Sequence, residues 1–189
     1  MLRRISKNKM TLKKILKKVK ADPNRLVFFF DEGRFGLRST VMRCWARRGE
    51  PLNVQVKQGF NSFYIYSSVS PVTGDNFTLF LPEVNTEMMN IYLDELSKAC
   101  GNTKLLLIMD CAGWHKSKEL MLPKNIKVEF LPPYSPELNP VERLWYWLKK
   151  EAVHNNLFES LSQLMDRVSE EYLKLTKKRL TSLCNCSYI

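Results

Sequence analysis

Apolar residues along this chain fall into two patterns, short unbroken runs and helical stripes, and the two alternate. LVFFF (residues 26–30) and KLLLIM (104–109) are continuous apolar runs of strand length, as expected of central strands buried on both faces. FYIYSSV (63–69) and NFTLFL (76–81) flank Pro71-Val72-Thr73-Gly74-Asp75, which predicts a hairpin, and IKVEF (126–130) is a further strand. Residues 34–60 are less regular. Within them VMRCWA (41–46) and LNVQV (52–56) predict a small hairpin around Arg47-Arg48-Gly49-Glu50-Pro51.

The stripes have helical spacing. Thr86 is the expected cap of a helix with Met89, Tyr92, Leu93 and Leu96 on its buried side, stopped by Gly101. A short helix is expected around 115–122, broken by Pro123. Val141, Leu144, Trp145 and Leu148 predict a helix from Pro140 to about Val153. Leu161, Leu164, Met165, Val168, Tyr172 and Leu175 predict a last one from about Ser160 into the 170s. Strands and helices in this order predict an α/β domain, a mixed five-stranded sheet with helices on both faces. A right-handed crossover then sets 104–109 parallel to 26–30.

Charge changes the picture at one end. Of 30 Lys and Arg, nine fall in residues 1–20, which hold no acid, whereas the rest of the chain is nearly balanced. A basic arm over 1–24 predicts attraction to nucleic acid or another polyanion, with Lys13, Lys14, Lys17 and Lys18 as candidate DNA contacts. Leu12, Ile15, Leu16 and Val19 give it amphipathic helical spacing. The five scattered cysteines imply neither a disulfide framework nor a structural zinc site, so reduced thiols and a cytoplasmic location are expected. No apolar run approaches membrane-spanning length.

The candidate chemistry lies in three acids. Both buried runs end in an aspartate, Asp31 and Asp110. If the runs are neighbouring parallel strands, about 4.8 Å apart, these carboxylates leave the same edge of the sheet. The third acid follows a loop stiffened by Pro132, Pro133, Pro136 and Pro140, in which Asn139 suits a helix N-cap and Pro140 the first helical position. Glu142 sits three residues after the cap. It has two readings: a capping-box glutamate bonded back to the Asn139 amide, or a carboxylate delivered to a fixed place beside the other two. Asp31 and Asp110 taken singly also read as turn formers. Three crowded carboxylates repel unless a cation or proton joins them, and an all-oxygen set suits Mg²⁺ or Mn²⁺.

FFFDEGRFG, LLLIMDCAGWHKS and LPPYSPELNPVERLW, in this order, resemble the catalytic blocks of the DDE transposases, specifically the bacterial insertion-sequence branch of the mariner superfamily. The resemblance runs from about Leu26 to Leu157. It implies a ribonuclease H-like catalytic domain over 25–180, followed by a tail over 181–189. It also implies a triad of Asp31, Asp110 and Glu142 that holds two metal ions, with Asp31 bridging them. The implied activity is phosphodiester cleavage and strand transfer at transposon ends by a homo-oligomer assembled on DNA in the nucleoid. His115 matches a family histidine and is a candidate to contact substrate phosphate or a carboxylate; its other reading is a helix-cap or packing histidine. Arg34, Arg38, Arg43, Arg47 and Arg48 are candidates to track phosphates, and Trp114, Tyr134 and Trp147 to stack on bases. Glu32 and Glu137 read as solvated spare acids. Two details depart from the family pattern: Cys111 stands where Asn is usual, and 31 residues, slightly fewer than usual, separate Asp110 from Glu142. Complete enzymes of this kind carry helix-turn-helix segments at the front, for which residues before Leu26 offer no room, so a separately encoded DNA-binding half is an expected partner. The rivals are another ribonuclease H-like nuclease and a non-catalytic remnant that only binds nucleic acid.

Overall fold

The computed structural model describes residues 25–38, 47–49 and 59–185, together with Lys13 and Lys17. The hairpin expected over 41–46 and 52–56, the apolar arm positions, and Arg43, Lys14 and Lys18 lie outside the described residues.

Five strands form one sheet in the order β3-β2-β1-β4-β5: β1 (Arg25–Gly36), β2 (Ser62–Val69), β3 (Asn76–Leu81), β4 (Lys104–Met109) and β5 (Ile126–Phe130). β1 is antiparallel to β2, and β2 to β3; β4 is parallel to β1, and β5 to β4. This is the mixed sheet that the apolar runs predict, with the two most hydrophobic strands in its centre.

Alternation along β1 and β4 divides the core in two. Phe29, Phe35, Leu106 and Ile108 face α2 (Val141–Leu148), α3 (Leu161–Leu173) and α4 (Lys177–Leu183). Phe28, Phe30, Leu105 and Leu107 face α1 (Thr86–Cys100), whose Met89, Tyr92, Leu93 and Leu96 are fully buried. Each such side chain contributes roughly 1.5–3 kcal/mol relative to exposure. Helices therefore cover both faces.

Several elements differ from expectation, each for a local reason. β1 does not end at Asp31-Glu32-Gly33 but continues to Gly36, because β2 pairs with it throughout: Asp31 is opposite Ser67, Glu32 opposite Tyr66 and Gly33 opposite Ile65. α1 is capped by Asn85, whose side chain accepts from the Met88 amide, rather than by Thr86. Gly101 ends it at φ 57, a conformation that favours glycine. The helix expected over 115–122 is a single 3₁₀ turn, Gly113–Lys116, since the Ser117 hydroxyl takes the Glu119 amide and competes with helix continuation. The helix after the proline loop is α-helical only to Leu148 and closes in a π-helical turn, Lys149–Val153. The chain past 180 is not a tail from the start: α4 runs to Leu183, and Leu180 and Cys184 are buried in the core.

Candidate metal and nucleic-acid site

The last paired residues of β1 and β4 are Phe29 and Ile108. Two residues further along each strand stand Asp31 and Asp110, level with each other where the strands part. Both fall on the face covered by α2, because each is two residues from a side chain of that core. Asp110 is on the first residue past β4, so its chain leaves the sheet there, whereas Asp31 stays within β1.

The proline loop carries the third acid to the same place. Asn139 donates from its side-chain amide to the Phe30 carbonyl (3.0 Å), tying the loop to β1 one residue before Asp31. Its side-chain oxygen accepts from the amide of Val141 (3.3 Å), the first residue of α2, whose N-cap position is held by Pro140 rather than by the expected Asn139. The backbone amide of Asn139, which a capping box needs for Glu142, donates instead to the Pro136 carbonyl (2.9 Å). Glu142 is thus not engaged as a box partner. It stands on the exposed side of α2, and with Asp31 and Asp110 it lines one cavity of about 580 Å³.

The electrostatics follow from that grouping. Burial first, then the charges of Glu142, Glu32 and Asp110, push the Asp31 carboxyl up to about 8, against a hydrogen bond from the Trp145 indole N–H (2.9 Å). Loss of solvent at the cavity wall raises Glu142 too, with Lys149 opposing and Asp110 adding to the shift. Asp110 is lowered, above all by its hydrogen bond to His115, aided by the Ala112 amide.

Trp145 reaches Asp31 because residue 33 is glycine. A Cβ there would lie 2.8 Å from the indole Cδ2, so only glycine lets the ring lie against β1. Helical spacing marks Trp145 as a core residue; its bond to Asp31 spans 114 positions and has no local signal.

His115 is buried. Its Nδ1 lies 2.9 Å from Asp110 Oδ1 and its Nε2 2.8 Å from Glu32 Oε1. Burial alone would lower its pKa, but the bonds to Asp110 and Glu32 prevail and raise it to about 9. Of the two contacts expected of His115, the carboxylate contact is present, and both ring nitrogens are used, which leaves none for a phosphate. Glu32 is not solvated: its side chain is 8% exposed and also accepts from the Trp114 indole N–H (3.0 Å). The indole N–H of Trp114 is therefore committed to Glu32. Trp147 is half-buried under the Arg179 guanidinium, while Tyr134 is exposed and lines the carboxylate cavity at φ 56, a conformation uncommon outside glycine. Cys111 donates to the Leu131 carbonyl (3.3 Å) at the cavity wall.

A second cavity, of about 470 Å³, is lined by Arg34, Arg38 and Lys149 with Phe60, which is 90% exposed. Lys149 also acts on Glu142, so the two cavities are electrostatic neighbours. Arg47 and Arg48 are exposed and line neither cavity; Lys13 and Lys17 are helical and exposed.

Among the described residues, no three His, Cys, Asp or Glu side chains stand close enough to hold a metal ion as they lie. The donor set nonetheless fits one: three carboxylates share a cavity, and neighbouring acids add to the burial that raises Asp31 and Glu142, a repulsion that a hard divalent cation relieves.

Comparison with known proteins identifies the family and the fold. The DDE superfamily endonuclease family matches residues 26–165. An uncharacterized protein, y4pE/y4sA, of Sinorhizobium fredii is 36% identical over 113 residues, 59% of this chain and 84% of its own length. The insertion element IS630 uncharacterized 39 kDa protein of Shigella sonnei is 29% identical over 147 residues, covering 75% of this chain but only 43% of that protein. The crystal structure of the mariner Mos1 paired-end complex with Mg has the same fold, ribonuclease H-like, at a TM-score of 0.69 and 16% identity, over 96% of this chain and 58% of that one.

Proposed function

Because the chain belongs to the DDE superfamily endonuclease family, we propose that it is the catalytic domain of a DNA transposase, cutting and joining DNA at the ends of a mobile element. The observation that carries this reading is the meeting of Asp31, Asp110 and Glu142 in one cavity from three separate parts of the chain. These three would hold the divalent cation, Mg²⁺ or Mn²⁺. When bound, such ions activate a water or 3′-hydroxyl and stabilise the leaving oxygen of the phosphodiester.

The protein's own groups prepare the site. Trp145 orients Asp31, and His115 with the Ala112 amide holds one oxygen of Asp110. Lys116 lines the same cavity and offers a cation to a phosphate there. Arg34, Arg38 and Lys149 form an adjoining basic wall along which a nucleic-acid backbone would run. The chain spans about half the length of the insertion-element and Mos1 relatives; a separately encoded helix-turn-helix unit that recognises particular DNA ends is part of the same proposal. Assembly as a homo-oligomer on DNA, within the nucleoid, belongs to the same proposal.

The test is incubation of the purified chain with end-labelled duplex DNA in Mg²⁺ or Mn²⁺, beside Asp31→Asn, Asp110→Asn and Glu142→Gln variants. Metal-dependent nicking by the parent and none by the variants is expected. Salt-dependent DNA binding without nicking would identify a non-catalytic remnant, and preference for an RNA–DNA hybrid another class of nuclease.

A further inference from the structure

Asp31 and Glu32 are consecutive on β1, so their side chains leave opposite faces of the sheet. Asp31 enters the carboxylate cavity. Glu32 points beneath α1, on the face of Phe28 and Phe30, where a lone carboxylate would be costly to bury. It is compensated there: its Oε1 lies 3.0 Å from Trp114 Nε1 and 2.8 Å from His115 Nε2. The imidazole, 1% exposed and set edge-on against Phe30 at 5.6 Å, crosses past the end of β4. Its other nitrogen meets Asp110 Oδ1 at 2.9 Å, and the same oxygen accepts from the Ala112 amide at 3.0 Å.

We propose that Glu32 is a positioning residue for the metal site, acting on Asp110 through His115. This rests on the reading of Asp31, Asp110 and Glu142 as metal-holding carboxylates. Glu32 clamps one end of the imidazole; the clamped ring holds Asp110 Oδ1, and Asp110 Oδ2 is left for the cation. A single rigid dipeptide thereby governs two of the three acids: Asp31 is placed by the β1 backbone, and Asp110 by the neighbouring side chain. This is how the acid just past the end of β4 keeps register with one inside β1. Without Glu32 the imidazole has a partner at one nitrogen only and turns about its χ2 axis, releasing Asp110.

The role is tested with the full chain, using Mn²⁺ as probe and manganese electron paramagnetic resonance to read free ion. Glu32→Ala should weaken Mn²⁺ binding by about 10–100-fold, the usual effect of removing an outer partner of a ligand. Glu32→Gln, which keeps an acceptor for both donors, should restore most of it. His115→Ala should weaken binding comparably, and the double variant Glu32→Ala/His115→Ala should be no worse than His115→Ala alone, because the two act in series. In the metal-free protein, the ¹⁵N-coupled His115 Nδ1 proton signal should be present in the parent and Glu32→Gln and lost in Glu32→Ala. A folded Glu32→Ala chain with parental Mn²⁺ affinity, or strictly additive losses in the double variant, overturns the role. A parent that binds no Mn²⁺ overturns the metal reading itself, which the parental titration alone distinguishes.

Discussion

Trp145 donates its indole N–H to Asp31 at 2.9 Å, joining the middle of α2 to the acid within β1. The bond makes a core tryptophan part of the candidate site, since the ring packs edge-on to Phe35 while its polar edge reaches the carboxyl. Trp145→Phe keeps most of the packing and removes the donor. It should destabilise the chain by about 1–3 kcal/mol, the cost of leaving a buried polar group without its partner. Urea unfolding at neutral pH measures this, and a change below about 0.5 kcal/mol would contradict it. Gly33→Ala should perturb the same bond from the other side, because the added methyl displaces the indole. Its tryptophan fluorescence should shift where that of an alanine at exposed Gly113, with open space around its Cβ, does not.

The metal-free chain should lose stability as pH rises from about 4 to about 8. Folded Asp31 keeps its proton up to about pH 8, whereas the unfolded chain releases it near 3.8, so in that window the folded state holds the extra proton. His115 acts in the same direction at higher pH: its contribution is complete below about 6.5 and is lost as pH rises through about 9. Asp31→Asn removes only the first dependence. Its stability relative to the parent should therefore be greater at pH 8 than at pH 5, read from urea midpoints at both values. An equal difference at the two pH values would rule this out.

Arg34, Arg38 and Lys149 should govern the salt dependence of DNA binding. Each lost phosphate contact lowers the slope of log affinity against log salt by roughly 0.9, so the triple glutamine variant should lose two to three units of slope on duplex DNA. Fluorescence anisotropy at several salt concentrations measures it. An unchanged slope would remove this cavity from the DNA path.

Much of this molecule is legible in its sequence, and the exceptions share a cause. The unbroken runs at 26–30 and 104–109 mark β1 and β4, and the Met89, Tyr92, Leu93 and Leu96 stripe marks the buried side of α1, because burial imposes those patterns directly. The continuation of β1 past Phe30 is not visible, since Asp-Glu-Gly reads locally as a turn and only pairing with β2 makes it a strand. The same holds at the site. Asp31 and Asp110 stand out at the ends of apolar runs, and Glu142 through a proline loop. The tie from Asn139 to Phe30, the Trp145 bond to Asp31 and the Glu32 bond to His115 join residues 83 to 114 positions apart and leave no local trace. One signal was available for Glu32: strict alternation sends it beneath α1, where an acid needs a partner.

Mn²⁺ titration of the parent beside Asp31→Asn, Asp110→Asn and Glu142→Gln tests the shared cation site most directly, with circular dichroism establishing that each protein is folded. Saturable binding by the parent and at least a tenfold loss in every variant is the predicted result. Parental affinity in folded Glu142→Gln would contradict it, since the acid brought in by the proline loop would then have no part in holding the ion.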